Sequence, residues 1–188
     1  MSGSHVESSD VALVGLAQNG DRTAFAVLFR RHNSDVFNLA VRLSPNRDVA
    51  REVAQETWIR VWRGLDSFRG ESSFSTWTYR ITVNTASSWR RRRSNRPTVD
   101  ITDVPEPEVE DGTQIPDRAA ENTDLGRRLA GALARLSPAL RTVVVMKDMY
   151  GWSHPEIAGA LGISTTAAKV RLHRAHQKLQ RSLRETET

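Results

Sequence analysis

The sequence predicts an all-α protein of two small helical domains joined by a flexible acidic linker. Three observations lead there: apolar residues recur at helical spacing in both halves, the charge falls into three blocks, and the last third carries a short helix, a glycine turn and a longer basic helix. Residues 1–97 hold 15 basic and 9 acidic side chains, residues 98–124 hold 1 and 9, and residues 125–188 hold 11 and 4, giving +6, −8 and +7. The 188 residues include no cysteine. Disulfides, thiolate metal centres and cysteine nucleophiles are thereby excluded. No stretch approaches the roughly 18 unbroken apolar residues of a membrane span, and Met1 to Asp10 lacks the pattern of a signal peptide, so a cytoplasmic protein with no membrane insertion is expected.

Taken in order, Leu13, Leu16 and Ala17 follow a Ser9/Asp10 cap, and Asn19-Gly20-Asp21 stops that first short helix. A longer one runs through Phe25, Leu28, Phe29, Val36, Ala40 and Leu43 and ends at Ser44-Pro45-Asn46. The next spans about Asp48 to Leu65, with Ala50, Ala54, Trp58, Val61 and Leu65 on one stripe and Asp48, Glu52, Gln55 and Glu56 on the other side. Residues 74–83 are ambiguous: Trp77, Tyr79, Ile81 and Val83 alternate with Thr76, Thr78, Arg80 and Thr82 at the strand period. With no second strand nearby to pair, this segment is expected to be helical.

Residues 98–124 hold Pro105, Pro107 and Pro116 and few large apolar side chains, a composition that cannot offset its ordering entropy, so they read as the linker. Two basic modules on one tether suggest a single polyanion gripped at two places. Beyond the linker, Leu125, Leu129, Ala132, Leu133 and Leu136 make a helix, Ser137-Pro138 opens another through Tyr150, and Gly151 closes it.

Ser153-His154-Pro155-Glu156 is a capping box, Gly162 supplies a turn after a short helix, and Ser164 caps a last helix running to about Leu183. This is a helix-turn-helix, whose second helix enters the DNA major groove. Ala168, Leu172, Ala175 and Leu179 form its core stripe. Its opposite face offers Thr165, Thr166, Lys169, Val170, Arg171, His173 and Arg174. Arg171 and Arg174 suit bidentate contacts to guanine or phosphate, and Lys169 is a point charge for phosphate. His173 and His176 lack a third ligand and are read as ordinary polar-face histidines rather than a metal site.

Two blocks then carry a resemblance. DVAREVAQETWIRVWRGLDSFRGESSFSTWTYRITVNTA is similar to the second conserved region, and LSPALRTVVVMKDMYGWSHPEIAGALGISTTAAKVRLHRAHQKL to the fourth, of the extracytoplasmic-function (ECF) group of bacterial RNA polymerase sigma factors. The resemblance covers about residues 10–96 and 125–183. It implies a region 2 bundle in residues 1–97, a region 4 helix-turn-helix in residues 125–188, and a subunit that binds core RNA polymerase and directs it to promoters. The polymerase performs the catalysis, so the chain itself is expected to be neither an enzyme nor the holder of a cofactor. By resemblance Asp48, Glu52, Gln55, Glu56, Trp58 and Trp62 dock on the clamp coiled coil of the largest catalytic subunit, and the C-terminal module meets the flap of the second. Phe68, Arg69, Arg80, Asn84, Trp89 and Arg90, Arg91, Arg92 and Arg93 are implied to hold the unpaired strand of the minus-ten element, a task for which stacking rings, an amide and guanidiniums are suited. The basic face of the last helix is implied to read the minus-35 element. The resemblance further implies that the linker lies in the polymerase cleft and RNA exit path, and that an anti-sigma factor controls the protein. The chain departs from the family at Ser88, where many members carry Asp, and at Thr166-Ala167-Ala168, where Gly-Thr-Val is usual.

The rival reading is an operator-binding regulator sharing this C-terminal hairpin. Against it, the first half shows neither a carboxylate pocket on strand ends nor the strands of a ligand domain. A DNA-processing enzyme is disfavoured too, because no HExxH, P-loop or Gly-x-Ser-x-Gly motif is present.

Overall fold

The computed structural model describes residues 8–94 and 124–185. Every regular element among them is helical, as the sequence predicts: α1 (Asp10–Gln18), α2 (Arg22–Leu43), α3 (Arg47–Gly64), a 3-10 turn (Leu65–Ser67), α4 (Phe74–Ser94), α5 (Asp124–Ala134), α6 (Pro138–Val144), a π-helical turn (Val145–Met149), α7 (His154–Leu161) and α8 (Thr165–Glu185). Apart from Asp124, the expected acidic linker at residues 98–124 lies outside the described residues.

Local polar chemistry sets where the first helices begin. Ser9 Oγ accepts from the Ala12 amide at 3.3 Å, Asp21 Oδ1 from Thr23 and Ala24 at 2.8 and 3.1 Å, and Asn46 Oδ1 from Val49 at 2.9 Å. Each satisfies an amide that the first helical turn cannot pair internally. Asp10 then ties α1 to α2 by pairing with Arg31 and by lying 2.7 Å from His32 Nε2. Leu13, Leu28, Val36, Leu39, Val53, Val61 and Leu65 are buried where α1, α2, α3 and α4 pack together. Leu16, named with Leu13 and Ala17 in the first helix, is 39% exposed.

The ambiguous segment is the start of α4, and its threonines explain how. Thr78, Thr82 and Thr85 are buried. Their hydroxyls donate to the carbonyls of Ser75, Thr78 and Ile81, each at 2.8 Å. A threonine that back-bonds within its own helix presents only its methyl to neighbours, so the polar half of the alternation joins the core.

In the second half, α6 is the centre. Leu140 to Met146 are buried without a break, as expected of a helix covered on all sides. The helix expected through Tyr150 widens into the π turn, closed by Gly151 at φ +70. Arg141 is also buried, and its guanidinium donates to the Leu133, Ala134 and Leu136 carbonyls at 2.9, 2.6 and 3.2 Å, finishing the C-terminal end of α5. Burial lowers its pKa from the ordinary arginine value. Leu129, one of the apolar residues that mark this helix in the sequence, is 40% exposed. Finally, α4 touches α7 and α2 touches α6, so the two helical groups meet.

Candidate nucleic-acid interface

The helix-turn-helix is built as its capping pattern predicts. Ser153 Oγ accepts from the Glu156 amide at 3.4 Å while Glu156 Oε2 accepts from the Ser153 amide at 2.8 Å. The Ser153 amide foremost, and then the Ser153 hydroxyl donating to the same Oε2 at 2.8 Å, hold the Glu156 carboxyl below the usual carboxylate range. Gly162 turns the chain at φ +66, a left-handed conformation in which a side chain is strained. Ser164 Oγ then accepts from Ala167 at 3.1 Å and starts α8.

Burial of Ala168, Leu172, Ala175 and Leu179 fixes the roll of α8 against α5, α6 and α7. Thr165, Thr166, Lys169, Val170, His173 and Arg174 are consequently exposed together, and Arg171 is half-buried at their edge. His173 bonds Gln177 at 3.0 Å, whereas His176 turns aside to Asp148 at 2.7 Å. No group of metal-ligating side chains occurs among the described residues.

A second basic surface lies on α4 and the loop before it. Ser67, Phe68, Arg69, Glu71, Ser72, Trp77 and Arg80 line a cleft of about 320 Å³. Phe68 is half-buried against Trp77, with ring centroids 4.9 Å apart, and meets Phe74 edge-on at 6.0 Å. Gln18 supports this wall in a way sequence reasoning missed: its amide donates to the Leu65 and Phe68 carbonyls, both at 3.0 Å. An amide so far away in sequence leaves no local signal. Asn84 is exposed one turn beyond Arg80.

The basic run that follows is not uniform. Arg91, Arg92 and Arg93 are exposed, with the Arg93 guanidinium 5.3 Å from the Trp89 ring centroid. Trp89 is half-buried and donates to Glu52 Oε2 at 3.0 Å. Arg90 turns inward, where burial and then the charges of Arg141 and Arg91 lower its pKa to about 10.

The acidic and amide side of α3 forms a third surface. Asp48, Glu52 and Gln55 are exposed and Glu56 is half-exposed. Asp48 pairs with Arg51, and Glu56 with Arg60 at 2.8 Å. The Arg60 hydrogen bond chiefly lowers the Glu56 pKa. The structure separates the two tryptophans grouped on this face. Trp62 is 42% exposed and Trp58 only 7%. Trp58 donates to Asn33 Oδ1 at 3.0 Å and packs on Phe25 and Phe29, so it supports the surface from beneath.

All three surfaces lie in segments that match known protein families. The family model Sigma-70 region 2 matches residues 28–96 and the model Sigma-70, region 4 matches residues 126–179. The ECF RNA polymerase sigma-E factor of Haemophilus influenzae is 30% identical over 181 residues, spanning 93% of this chain and 95% of that protein. Among solved structures, the fold is similar to the sigma factor RpoE in complex with the anti-sigma factor NepR from Bartonella quintana, at TM-score 0.62 and 25% identity over 85% of this chain and 96% of that one. It is similar also to CnrH in complex with the cytosolic domain of CnrY, at TM-score 0.63 and 26% identity over 96% and 100%. Two family regions in the expected order, on a chain of which such a relative covers 93%, place this protein in the ECF family of RNA polymerase sigma factors.

Proposed function

We propose that this sigma factor divides promoter recognition among the three surfaces. Core polymerase docks on the outer face of α3 through Asp48, Glu52, Gln55, Glu56 and Trp62, with Trp58 holding that face in place. The Phe68 cleft, Arg69, Arg80, Asn84, Trp89 and the run Arg90 to Arg93 hold the unpaired minus-ten strand. The face of α8 from Thr165 to Arg174 reads the minus-35 duplex, while the C-terminal module meets the flap of the second catalytic subunit. The linker at residues 98–124, carrying −8, follows the RNA exit path.

The observation that carries this reading is the exposure of six of the seven predicted residues on one face of α8, opposite its buried stripe. A basic helix held in that roll by a helix-turn-helix fits a major groove. No helix of the described residues is long and apolar enough to cross a membrane, and the protein acts beside the polymerase in the cytoplasm. Catalysis belongs to the polymerase. Since RpoE and CnrH were solved with NepR and CnrY, we assign this chain an anti-sigma partner that covers its polymerase-facing surfaces.

Run-off transcription with purified core polymerase on genomic fragments tests the proposal. Defined transcripts that need both proteins are expected. Specific duplex binding by the free chain, with no polymerase-dependent transcript, would favour the operator-binding reading.

A further inference from the structure

Where α4 meets α7, the contacts are specific in kind. Tyr79 of α4 packs edge-on against Tyr150, with ring centroids 4.9 Å apart and planes at 72°. The next residue, Arg80, sits 5.8 Å from the Trp152 ring centroid, and its Nη2 lies 3.6 Å from Glu156 Oε1. Arg42 of α2 donates to the Tyr150 hydroxyl at 3.4 Å. The capping box orients this joint: Ser153 occupies Glu156 Oε2 with its amide and its hydroxyl, each at 2.8 Å, while Oε1 faces Arg80. Arg80 also lines the Phe68 cleft, so a single guanidinium belongs to both the joint and the candidate DNA surface.

We propose that the chain free of polymerase closes on itself through this Tyr79–Tyr150 and Arg80–Glu156 interface, and that closure competes with promoter DNA for Arg80. The interface rests on the contacts alone, whereas the competition rests on the reading of Arg80 as a DNA contact. Covalent connection makes a modest interface sufficient. Linked modules meet at an effective concentration on the order of millimolar, so a contact of that dissociation constant is already half closed. Within the joint, Glu156 presents to Arg80 a fixed oxyanion of the kind a phosphate would offer. Opening exchanges that carboxylate for the nucleic-acid backbone.

The composition supplies a direct probe, because Tyr79 and Tyr150 are the 2 tyrosines of the whole chain. A photo-excited ruthenium complex with persulfate as electron acceptor removes one electron from each phenol. The radicals lose their protons and couple ring carbon to ring carbon when the rings are in contact. Full-length protein is expected to give dityrosine fluorescence in the monomer band, in a yield unchanged by ten-fold dilution and several-fold above that in concentrated urea. Tyr79→Phe removes the signal and serves as the control for oxidation elsewhere. The cross-linked chain is then expected to support at least ten-fold less run-off transcription than Tyr79→Phe protein treated alike. Absence of monomer dityrosine, or its appearance only in dimers, overturns the interface. Equal transcription by cross-linked and control chains overturns the competition. Failure of the untreated chain to initiate would count against the sigma-factor reading and leave the cross-linking result standing.

Discussion

Trp58 and Trp62 stand one helical turn apart on α3, and the 40° by which four residues overshoot a turn carries them across the edge of the core. Trp58 is 7% exposed and Trp62 42%. Trp58→Ala therefore removes buried volume and the bond to Asn33, and is expected to cost about 3–5 kcal/mol in a urea melt. Trp62→Ala should cost about 1 kcal/mol or less in the same melt yet weaken core polymerase binding roughly ten-fold or more, as loss of an exposed aromatic anchor does. Fluorescence titration of labelled protein with core polymerase checks the second half. On α8, Arg174→Ala is expected to cost about 1–3 kcal/mol of discrimination at one minus-35 base pair, whereas Lys169→Ala weakens all sequences alike. Both variants should keep wild-type affinity for core polymerase, and transcription from a set of single-base promoter variants distinguishes the two patterns.

Element by element, the segments whose ends are set locally were legible in the sequence: Ser9, Ser153, Gly162 and Ser164 all occupy the cap or turn positions read from the residues. The capping box also gives a pH signature. Glu156 has a folded pKa below its ordinary 4.5, so in the window below about 4.5 the unfolded chain binds more protons. Its stabilising contribution is complete above that pH and fades as pH falls through the lowered folded value. The stability gap between wild type and Glu156→Gln, measured by circular dichroism in urea, should thus be largest near neutral pH and close in acid. The identity of α4 was less legible. Its Thr78, Thr82 and Thr85 alternate with apolar residues as a strand would, and only the packing of α2 and α3 around them reveals that both sets are inside. Because the Thr82 hydroxyl returns to the Thr78 carbonyl, which the helix already uses, Thr82→Val leaves no donor stranded. That replacement is expected to shift stability by less than about 1 kcal/mol, while Thr82→Asp, which buries a carboxylate, should unfold the domain.

At the scale of the whole molecule, the charge blocks and the closed joint respond differently to salt. The block pattern was readable from composition, but the joint was not: it brings together Tyr79 and Tyr150, which no local periodicity connects. Promoter binding by the exposed cations Arg91, Arg92, Arg93, Lys169 and Arg174 releases counterions. If these five each neutralise one phosphate, a five-fold rise in salt lowers promoter affinity by about three decades. The joint, in contrast, contains one partly exposed ion pair, Arg80–Glu156, with side chains 39% and 42% exposed, and such a pair contributes about 0–1 kcal/mol that salt can screen. It also holds the aromatic pair, the Arg80–Trp152 stack and the Arg42–Tyr150 hydrogen bond, which share little of that dependence. Between 0.1 and 0.5 M salt, then, the promoter complex formed with polymerase should fall by about three decades in affinity, whereas the dityrosine yield of the free chain should change by less than about two-fold. A parallel collapse of both signals would mean that closure is a salt bridge and little else. A steady cross-link beside vanishing promoter complexes would mean that salt weakens the competing DNA contacts and leaves the closed joint of the free chain unchanged.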